Sequence, residues 1–153
     1  MSAKSNTKST LLGLLFLFSV ILVIGSGCIG GMRSSELFKN KESEMLFTKA
    51  QKLQSAGKLD SAIIYFNKAD SVAPDTPTIL EERGIVKSEL QQYDEALVDL
   101  SRAVDLVKDP DLRDAYLCNR GLIYQDMNRM DDACRDFTAA GKTGERNREA
   151  FCK

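Results

Sequence analysis

The sequence predicts an all-α fold, a solenoid built from antiparallel helix pairs stacked on one another. Two observations predict it. A small residue, a large apolar residue and a second small residue recur at offsets of four and three, and successive sets lie 34 and 37 residues apart. Helix-start and helix-stop signals alternate between these sets, as expected where each helix pair buries its apolar face on the next. The three sets are Ala62, Phe66 and Ala69; Ala96, Leu100 and Ala103; and Ala133, Phe137 and Ala140.

Residues 1–27 are predicted to be a targeting segment. Lys4 and Lys8 supply positive charge, and the run from Leu11 to Ile24 carries none. Three small residues then precede Cys28. A basic start followed by a short apolar run is typical of an export signal and short for a membrane span.

Small residues directly before Cys28 resemble the bacterial lipoprotein signal, which implies lipidation of that cysteine. Gly25 departs from the motif, which usually has an aliphatic residue there. A plain signal peptide cut after Gly27 and an uncleaved signal anchor therefore stay open. Each alternative predicts a domain in the cell envelope, facing the periplasm. Ile29 is not the aspartate that retains many such proteins in the inner membrane, which favours the outer membrane.

Residues 28–42 are polar and without sustained period, and are predicted to be a tether. The repeat domain is predicted over 43–153, with its first repeat at 43–76. Within that repeat, Ala56 to Lys58 break the first helix, and Asp60 is expected to cap the second. Pro74 is expected to follow the end of the second helix.

The second and third repeats are predicted over 77–113 and 114–144, and residues 145–153 are expected to form a capping helix. Thr76 and Asp109 each precede a proline. A capping residue followed by proline at the first helical position is typical of a helix start. Turns are predicted near residues 91–93 and 128–130, before the second helix of each pair.

The spacing of small residues identifies a family. Gly84 and Ala96 are twelve residues apart, as are Gly121 and Ala133. With the later large and small residues, this pattern resembles the tetratricopeptide repeat (TPR), which implies a right-handed solenoid that acts as a binding scaffold. Lys108 departs from the proline that commonly closes such a repeat.

The resemblance implies that the first helix of each pair lines a concave groove for a partner protein or peptide. Ile85 and Leu122 share one offset in adjacent repeats, and with Phe47 they would form an apolar strip, if exposed. Acidic residues at its rim would suit a peptide with apolar anchors and neutral or basic flanks. Alternatively, these side chains only thicken the packing between repeats. The predicted partner-binding residues are Phe47, Gln51, Glu81, Ile85, Glu89, Cys118, Leu122 and Gln125.

Members of the family that bind chaperone tails hold a carboxylate with lysine, arginine and asparagine side chains. The matching positions here are Phe47, Gln51, Glu82, Ala115 and Asn119. No basic residue is among them, and Glu82 would repel a carboxylate. A co-chaperone role of that type is not expected.

Three cysteines follow Cys28. Cys134 and Cys152 are a possible disulfide that would fasten the capping helix to the third repeat, which an oxidising compartment permits. The alternative is two unpaired buried thiols. Cys118 is then the odd cysteine, expected near the groove. The spacings of these cysteines do not favour zinc, and no metal site is predicted.

Composition disfavours several other functions. The chain has no histidine, which removes the usual acid–base catalyst at neutral pH. Residues 28–153 carry 19 basic and 22 acidic side chains, which gives no electrostatic reason to expect nucleic acid. The sequence therefore predicts a non-enzymatic scaffold or adaptor without cofactors, held in the envelope by its N-terminal lipid or anchor. One alternative is a structural protein that uses the apolar strip as a homodimer interface. A weaker one is an enzyme that uses Cys118.

Overall fold

The computed structural model describes residues 38 and 40–153. The predicted signal segment, Cys28 and most of the predicted tether lie outside the described residues. Within the described part of the chain, seven helices form and no strand does. They are α1 (Lys41–Ser55), α2 (Leu59–Val72), α3 (Pro77–Glu89), α4 (Tyr93–Leu106), α5 (Pro110–Asp126), α6 (Met130–Ala139) and α7 (Gly141–Phe151).

The first helix of each pair begins at a residue suited to the N-cap position. Asn40 precedes α1, and its side-chain oxygen accepts hydrogen bonds from the backbone of Glu42 at 2.8 Å and Ser43 at 3.3 Å. Asp109 caps α5 in the same way, accepting from the backbone of Leu112 at 3.1 Å. Thr76 is the N-cap of α3, with proline directly after it. The side chains of Asn40 and Asp109 satisfy helix donors that have no partner within the helix, whereas the Thr76 hydroxyl donates to the Ala73 carbonyl at 2.8 Å.

The turn inside each helix pair has the same backbone geometry in all three repeats. Gly57, Gln91 and Asn128 lie at equivalent positions, with φ values of 70°, 61° and 57°. Each donates its backbone N–H to the carbonyl three residues earlier, at 2.8 Å. This left-handed residue ends the first helix and lets the second fold back after a short turn. The sequence signals located these turns because glycine and asparagine tolerate the conformation.

Two predicted helix ends are wrong. Asp60 does not cap α2, because the N-cap is Lys58, two residues earlier, and the helix starts at Leu59. Asp60 instead lies in the first turn, where a negative charge complements the helix dipole. The final helix starts at Gly141 instead of residue 145. The positive φ of Gly141, 54°, allows the chain to turn there and begin α7 at once.

The small-large-small sets form the packed interior, as predicted. All nine of these side chains are fully buried. The two helices of a pair come closest where a small residue of the first helix lies against the second helix. A Cβ on Gly84 would lie 3.1 Å from the Ala96 carbonyl oxygen, and one on Gly121 would lie 2.6 Å from the Phe137 ring. Small residues at these points therefore set the distance between the paired helices.

Beside this apolar core runs a repeated ion pair that the sequence analysis did not identify. Arg83 on α3 binds Asp99 on α4, and Arg120 on α5 binds Asp136 on α6. In both pairs the partners are sixteen residues apart, and both arginines directly precede a glycine, Gly84 or Gly121. The sequence does carry a signal for these ion pairs, since both the Arg-Gly pair and the aspartate recur 37 residues later.

The helix α7 packs on α6 and α5, at the end of the third repeat. A disulfide joins Cys134 on α6 to Cys152, just after α7, with a sulfur–sulfur distance of 2.03 Å and a Cα–Cα distance of 5.6 Å. Among residues 38 and 40–153, no helix has both the length and the apolar character needed to cross a bilayer.

Candidate partner-binding face

The first helices of the three pairs lie side by side, connected by polar side chains. We call the surface that these side chains share the first-helix face. Its residues come from one side of α1, α3 and α5. They are Gln51, Gln54, Thr78, Glu81, Glu82, Ile85, Glu89, Tyr116, Asn119, Leu122 and Gln125.

Two amide–carboxylate hydrogen bonds connect α1 to α3. Gln51 donates from Nε2 to Glu82 Oε1 at 3.1 Å, and Gln54 donates from Nε2 to Glu89 Oε1 at 2.9 Å. Because 51 and 54, like 82 and 89, lie on one side of their helices, the two bonds run in parallel across the first repeat boundary. The bonds fix the positions of two carboxylates at the surface.

A similar pair of bonds connects α3 to α5. Asn119 donates from Nδ2 to Glu81 Oε1 at 2.7 Å, and the hydroxyls of Thr78 and Tyr116 are 3.2 Å apart. Glu81 is buried, contrary to its predicted place at the rim of an open groove. The α5 helix covers it, since the asparagine that binds it comes from the neighbouring repeat.

Burial and mutual repulsion perturb the carboxylates at the centre of this face. Burial is the main cause that raises the pKa of Glu81, to about 8, and the adjacent charge of Glu82 adds to it. The pKa of Glu82 is also raised, again mainly by burial, with a further contribution from Glu89. Burial raises the pKa of Tyr116 to about 12. The face is thus an electrostatically unfavourable place for further negative charge.

No lysine or arginine of the described residues forms an ion pair with these three glutamates. The two basic residues of α3 lie on its other side. Arg83 and Lys87 both bind Asp99, with N–O distances of 2.7 Å. The charges of α3 are therefore divided, basic toward α4 and acidic toward the first-helix face.

The predicted apolar strip is only partly present. Ile85 and Leu122 are half-buried and leave part of their surface to solvent. Phe47 does not belong to the strip: it is 5% exposed and packs against Phe38 and Phe66, with ring centroids 4.8 and 5.6 Å apart. Phe47 stands one turn before the position equivalent to Ile85 and Leu122, which in the first repeat is Gln51. It points into the core, because the aromatic residues Phe38 and Phe66 lie on both sides of it.

Cys118 is fully buried in the core of the third repeat, not at the groove surface. Asn147 of α7 lies over it and points Nδ2 toward its sulfur at 3.4 Å. None of the cysteines among the described residues is a free thiol. Gln125, the remaining predicted residue, is half-buried on α5, and its side-chain oxygen has no hydrogen-bond partner in the described structure.

The positions that match the carboxylate-binding residues of chaperone-tail-binding members carry no lysine or arginine side chain. Phe47 and Ala115 are buried, Gln51 is bound to Glu82, and Asn119 is bound to Glu81. Within the described residues, no group of three or more potential metal ligands comes together. The chemistry of this face is that of an acidic, partly apolar surface.

Comparison with known proteins agrees with this architecture. A tetratricopeptide-repeat family model matches residues 43–76 and 115–140. The chain is 31% identical over 108 residues to the tetratricopeptide repeat protein 36 homolog of Drosophila melanogaster, an alignment that covers 69% of this chain and 58% of that relative. The chain thus spans less than two thirds of the relative's length.

Two solved structures share the fold. The TPR domain of Sgt2 from Aspergillus fumigatus aligns with a TM-score of 0.66 and 22% identity, covering 79% of this chain and 82% of that one. The first TPR domain of Spaghetti (RPAP3), solved bound to the HSP90 peptide SRMEEVD, aligns with a TM-score of 0.66 and 18% identity, covering 75% and 94%. At these identities the likeness concerns the fold alone.

Proposed function

Because this chain is a tetratricopeptide-repeat protein, we propose that it is a non-enzymatic scaffold whose first-helix face binds a segment of a partner protein. The observation that carries the proposal is the arrangement of Glu82 and Glu89. Glutamine side chains of the neighbouring helix hold both carboxylates in place, and no basic residue of the described chain neutralises either one. A partner side chain can supply that missing charge.

The charge of the face favours a segment with lysine or arginine. Burial is the main cause that raises the pKa of Glu82, and a cation between Glu82 and Glu89 would relieve the repulsion that Glu89 adds to it. An acidic segment such as the peptide bound by the Spaghetti domain would add to that repulsion, and the positions that match carboxylate-binding residues offer it no cation. Complementary charge also speeds encounter and selects against partners of the wrong sign.

Ile85 and Leu122 supply the apolar part of the surface. They lie 37 residues apart in adjacent repeats and are both half-buried. Apolar side chains of a bound segment can cover the exposed remainder of each one. We therefore propose a segment with apolar anchors next to basic residues, bound along α3 and α5.

Titration calorimetry with synthetic peptides tests this proposal. A library of short segments that carry leucine anchors beside lysine or arginine is compared with charge-reversed versions that carry glutamate. We expect the basic versions to bind at least about tenfold more tightly, a difference of roughly 1.4 kcal/mol. Equal binding of both versions, or of neither, would count against the proposal.

Protein variants locate the binding surface. Ile85→Glu with Leu122→Glu should abolish binding of the basic peptide. Ile64→Glu is the matched control, since Ile64 is 55% exposed on α2, outside the first-helix face. Loss of binding in the control as well would indicate general damage to the fold. Light scattering on the same proteins tests the alternative that this face forms a homodimer, which the double variant would convert to a monomer.

We propose further that the protein is tethered in a bacterial envelope through its N-terminal segment. Support comes from the basic and apolar pattern of residues 4–24 and the small residues before Cys28. The mass of the intact protein extracted from membranes should show an acyl-bearing adduct on Cys28 and no residue before it. A retained Met1, or a Cys28→Ser variant that still carries the lipid, would contradict lipidation at this position.

A further inference from the structure

The terminal helix α7 is attached to the repeats without burying a large apolar side chain. Its buried residues are Gly144 and Asn147. Phe151, its one aromatic residue, is 41% exposed. Burial of apolar side chains is what usually holds a helix on its neighbours. The attachment of α7 must therefore depend on other contacts.

Three such contacts are present. The backbone of α7 passes so close to α6 that a Cβ on Gly144 would lie 2.1 Å from the Phe137 carbonyl oxygen. At the Cys118 sulfur, Asn147 points its amide toward the sulfur at 3.4 Å, and the Thr143 carbonyl oxygen lies 3.8 Å from it. The disulfide between Cys134 and Cys152 links the C-terminal end of α7 to α6. The ion pair that α7 makes in the described structure, between Arg148 and Glu145 at 3.9 Å, lies within the helix and fastens it to nothing.

The helix α7 follows α6 as α3 follows α2 and α5 follows α4, and it also contacts α5. It thus stands where the first helix of a fourth repeat would stand. Asn147 lies over Cys118, which is at an offset expected on the first-helix face. The helix α7 therefore covers the first-helix face at the end formed by the third repeat.

We infer that the Cys134–Cys152 disulfide is a reversible redox lock, and that its reduction releases α7 and opens this end of the solenoid. The bond is within reach of a reductant, because both cysteines are only partly buried and Cys134 borders an open surface depression on α6. The other residues of that depression are Asp131, Arg135, Thr138 and Ala139.

The reductant that the lock requires is a dithiol. One thiolate of the dithiol attacks a sulfur of the disulfide and forms a mixed disulfide, and the other cysteine leaves as a thiolate that takes up a proton. The second thiol of the reductant then displaces the remaining cysteine. Two electrons and two protons pass to Cys134 and Cys152, and the reductant is left with its own disulfide.

Release follows from the sequence of α7. The helix has eleven residues, and Gly141 and Gly144 are two of them. An isolated helix of that length is unstable in water, and glycine weakens it further. Without the covalent link, the close backbone contact at Gly144 and the contacts of Thr143 and Asn147 with the Cys118 sulfur must hold the helix in place.

Backbone hydrogen exchange of the full chain, read by mass spectrometry of peptides, tests the inference without any partner. Reduction by dithiothreitol should speed exchange in residues 141–151 by about 100-fold, the effect expected from removing a loop closure of this size. Residues 43–139 should keep their protection. Unchanged exchange in 141–151, with reduction verified by alkylation of both cysteines, would overturn the inference.

The double variant Cys134→Ser with Cys152→Ser separates this lock from any other effect of the reductant. Under oxidising conditions it should exchange in 141–151 as fast as the reduced wild type. If α7 stays as protected in this variant as in the oxidised wild type, the disulfide does not hold the helix. Because neither measurement involves peptide binding, the result is independent of the function proposed for the first-helix face.

Discussion

Arg120 on α5 and Asp136 on α6 form a two-pronged ion pair, with Nε donating to Oδ2 at 2.7 Å and Nη2 donating to Oδ1 at 2.8 Å. Arg83 and Asp99 make the same pair one repeat earlier, both bonds at 2.7 Å. The third guanidinium nitrogen of Arg120 reaches back to Ser101 of the previous repeat at 3.1 Å. Arg83 likewise reaches back to Asp70 of the previous repeat at 3.0 Å, so each arginine joins three helices.

The first repeat replaces this ion pair with a different contact. Lys49 and Tyr65 stand 34 residues before Arg83 and Asp99, and the Lys49 ammonium lies 5.8 Å from the Tyr65 ring centroid. Lys68 approaches the same ring at 5.0 Å. A cation over an aromatic ring thus takes the place of a buried carboxylate in the first repeat.

Asp136→Ala is expected to destabilise the protein strongly, because it leaves the Arg120 guanidinium mostly buried without its anion. We expect a loss of about 3 kcal/mol in the free energy of unfolding, measured by chemical denaturation. The control is Arg102→Ala, which removes an ion pair with Asp75 whose partners are both more than half exposed. That variant should unfold at nearly the wild-type denaturant concentration. Equal losses in the two variants would contradict the role assigned to burial.

Gly121→Ala is expected to destabilise the third repeat, because the new Cβ would stand 2.6 Å from the buried Phe137 ring. Overpacking of this kind costs about 1–3 kcal/mol, more than the helix propensity that alanine gains. Gly84→Ala should cost less, since its nearest neighbours would stand 3.1 Å away. Thermal denaturation of both variants checks this order, and a more stable Gly121→Ala protein would be inconsistent with it.

Stability should fall as pH rises from about 4.5 to 8, because burial raises the pKa of Glu81 to about 8. In that range the folded protein keeps a proton on Glu81 that the unfolded chain releases. The stabilisation by Glu81 is therefore fully present below the pKa of the unfolded state, and it is lost as the pH rises toward the pKa of the folded state. The slope from one such group is at most about 1.4 kcal/mol per pH unit.

The isosteric variant Glu81→Gln isolates this effect. It resembles the neutral form of the side chain and should flatten the decline measured by denaturation at several pH values. Other acids contribute with the opposite sign, since nearby arginines lower the pKa of Asp75 and of Asp132. The difference between wild type and variant removes their contribution. A wild-type curve parallel to that of the variant would show that Glu81 titrates normally.

Phe47→Ala should weaken the fold of the first repeat, since Phe47 packs between two aromatic rings in the core. Truncation of a buried phenylalanine costs about 3–5 kcal/mol. Met45→Ala on the same helix is the control, because Met45 is 60% exposed and should tolerate the change. Denaturant midpoints for both variants provide the comparison. A Phe47→Ala protein of wild-type stability would place this side chain back at the surface.

The repeating small-large-small sets determined the fold by themselves, because only close helix packing gives alanine and glycine a reason to recur at equivalent points. The turns were predictable for the same local reason: Gly57 and Asn128 tolerate a left-handed backbone. Helix ends were less predictable. Asp60 and the start of α7 depended on a turn geometry that a single capping residue does not reveal.

The tertiary structure alone decided which predicted surface residues are exposed. Ile85 and Leu122 share one helical offset and are half-buried, whereas Phe47, one turn earlier in the first repeat, is covered by its aromatic neighbours. Glu81 and Cys118 lie on the predicted side of their helices and are nevertheless covered, by α5 and α7 respectively. Helical periodicity gives the direction of a side chain, whereas its burial depends on what another part of the chain places against it.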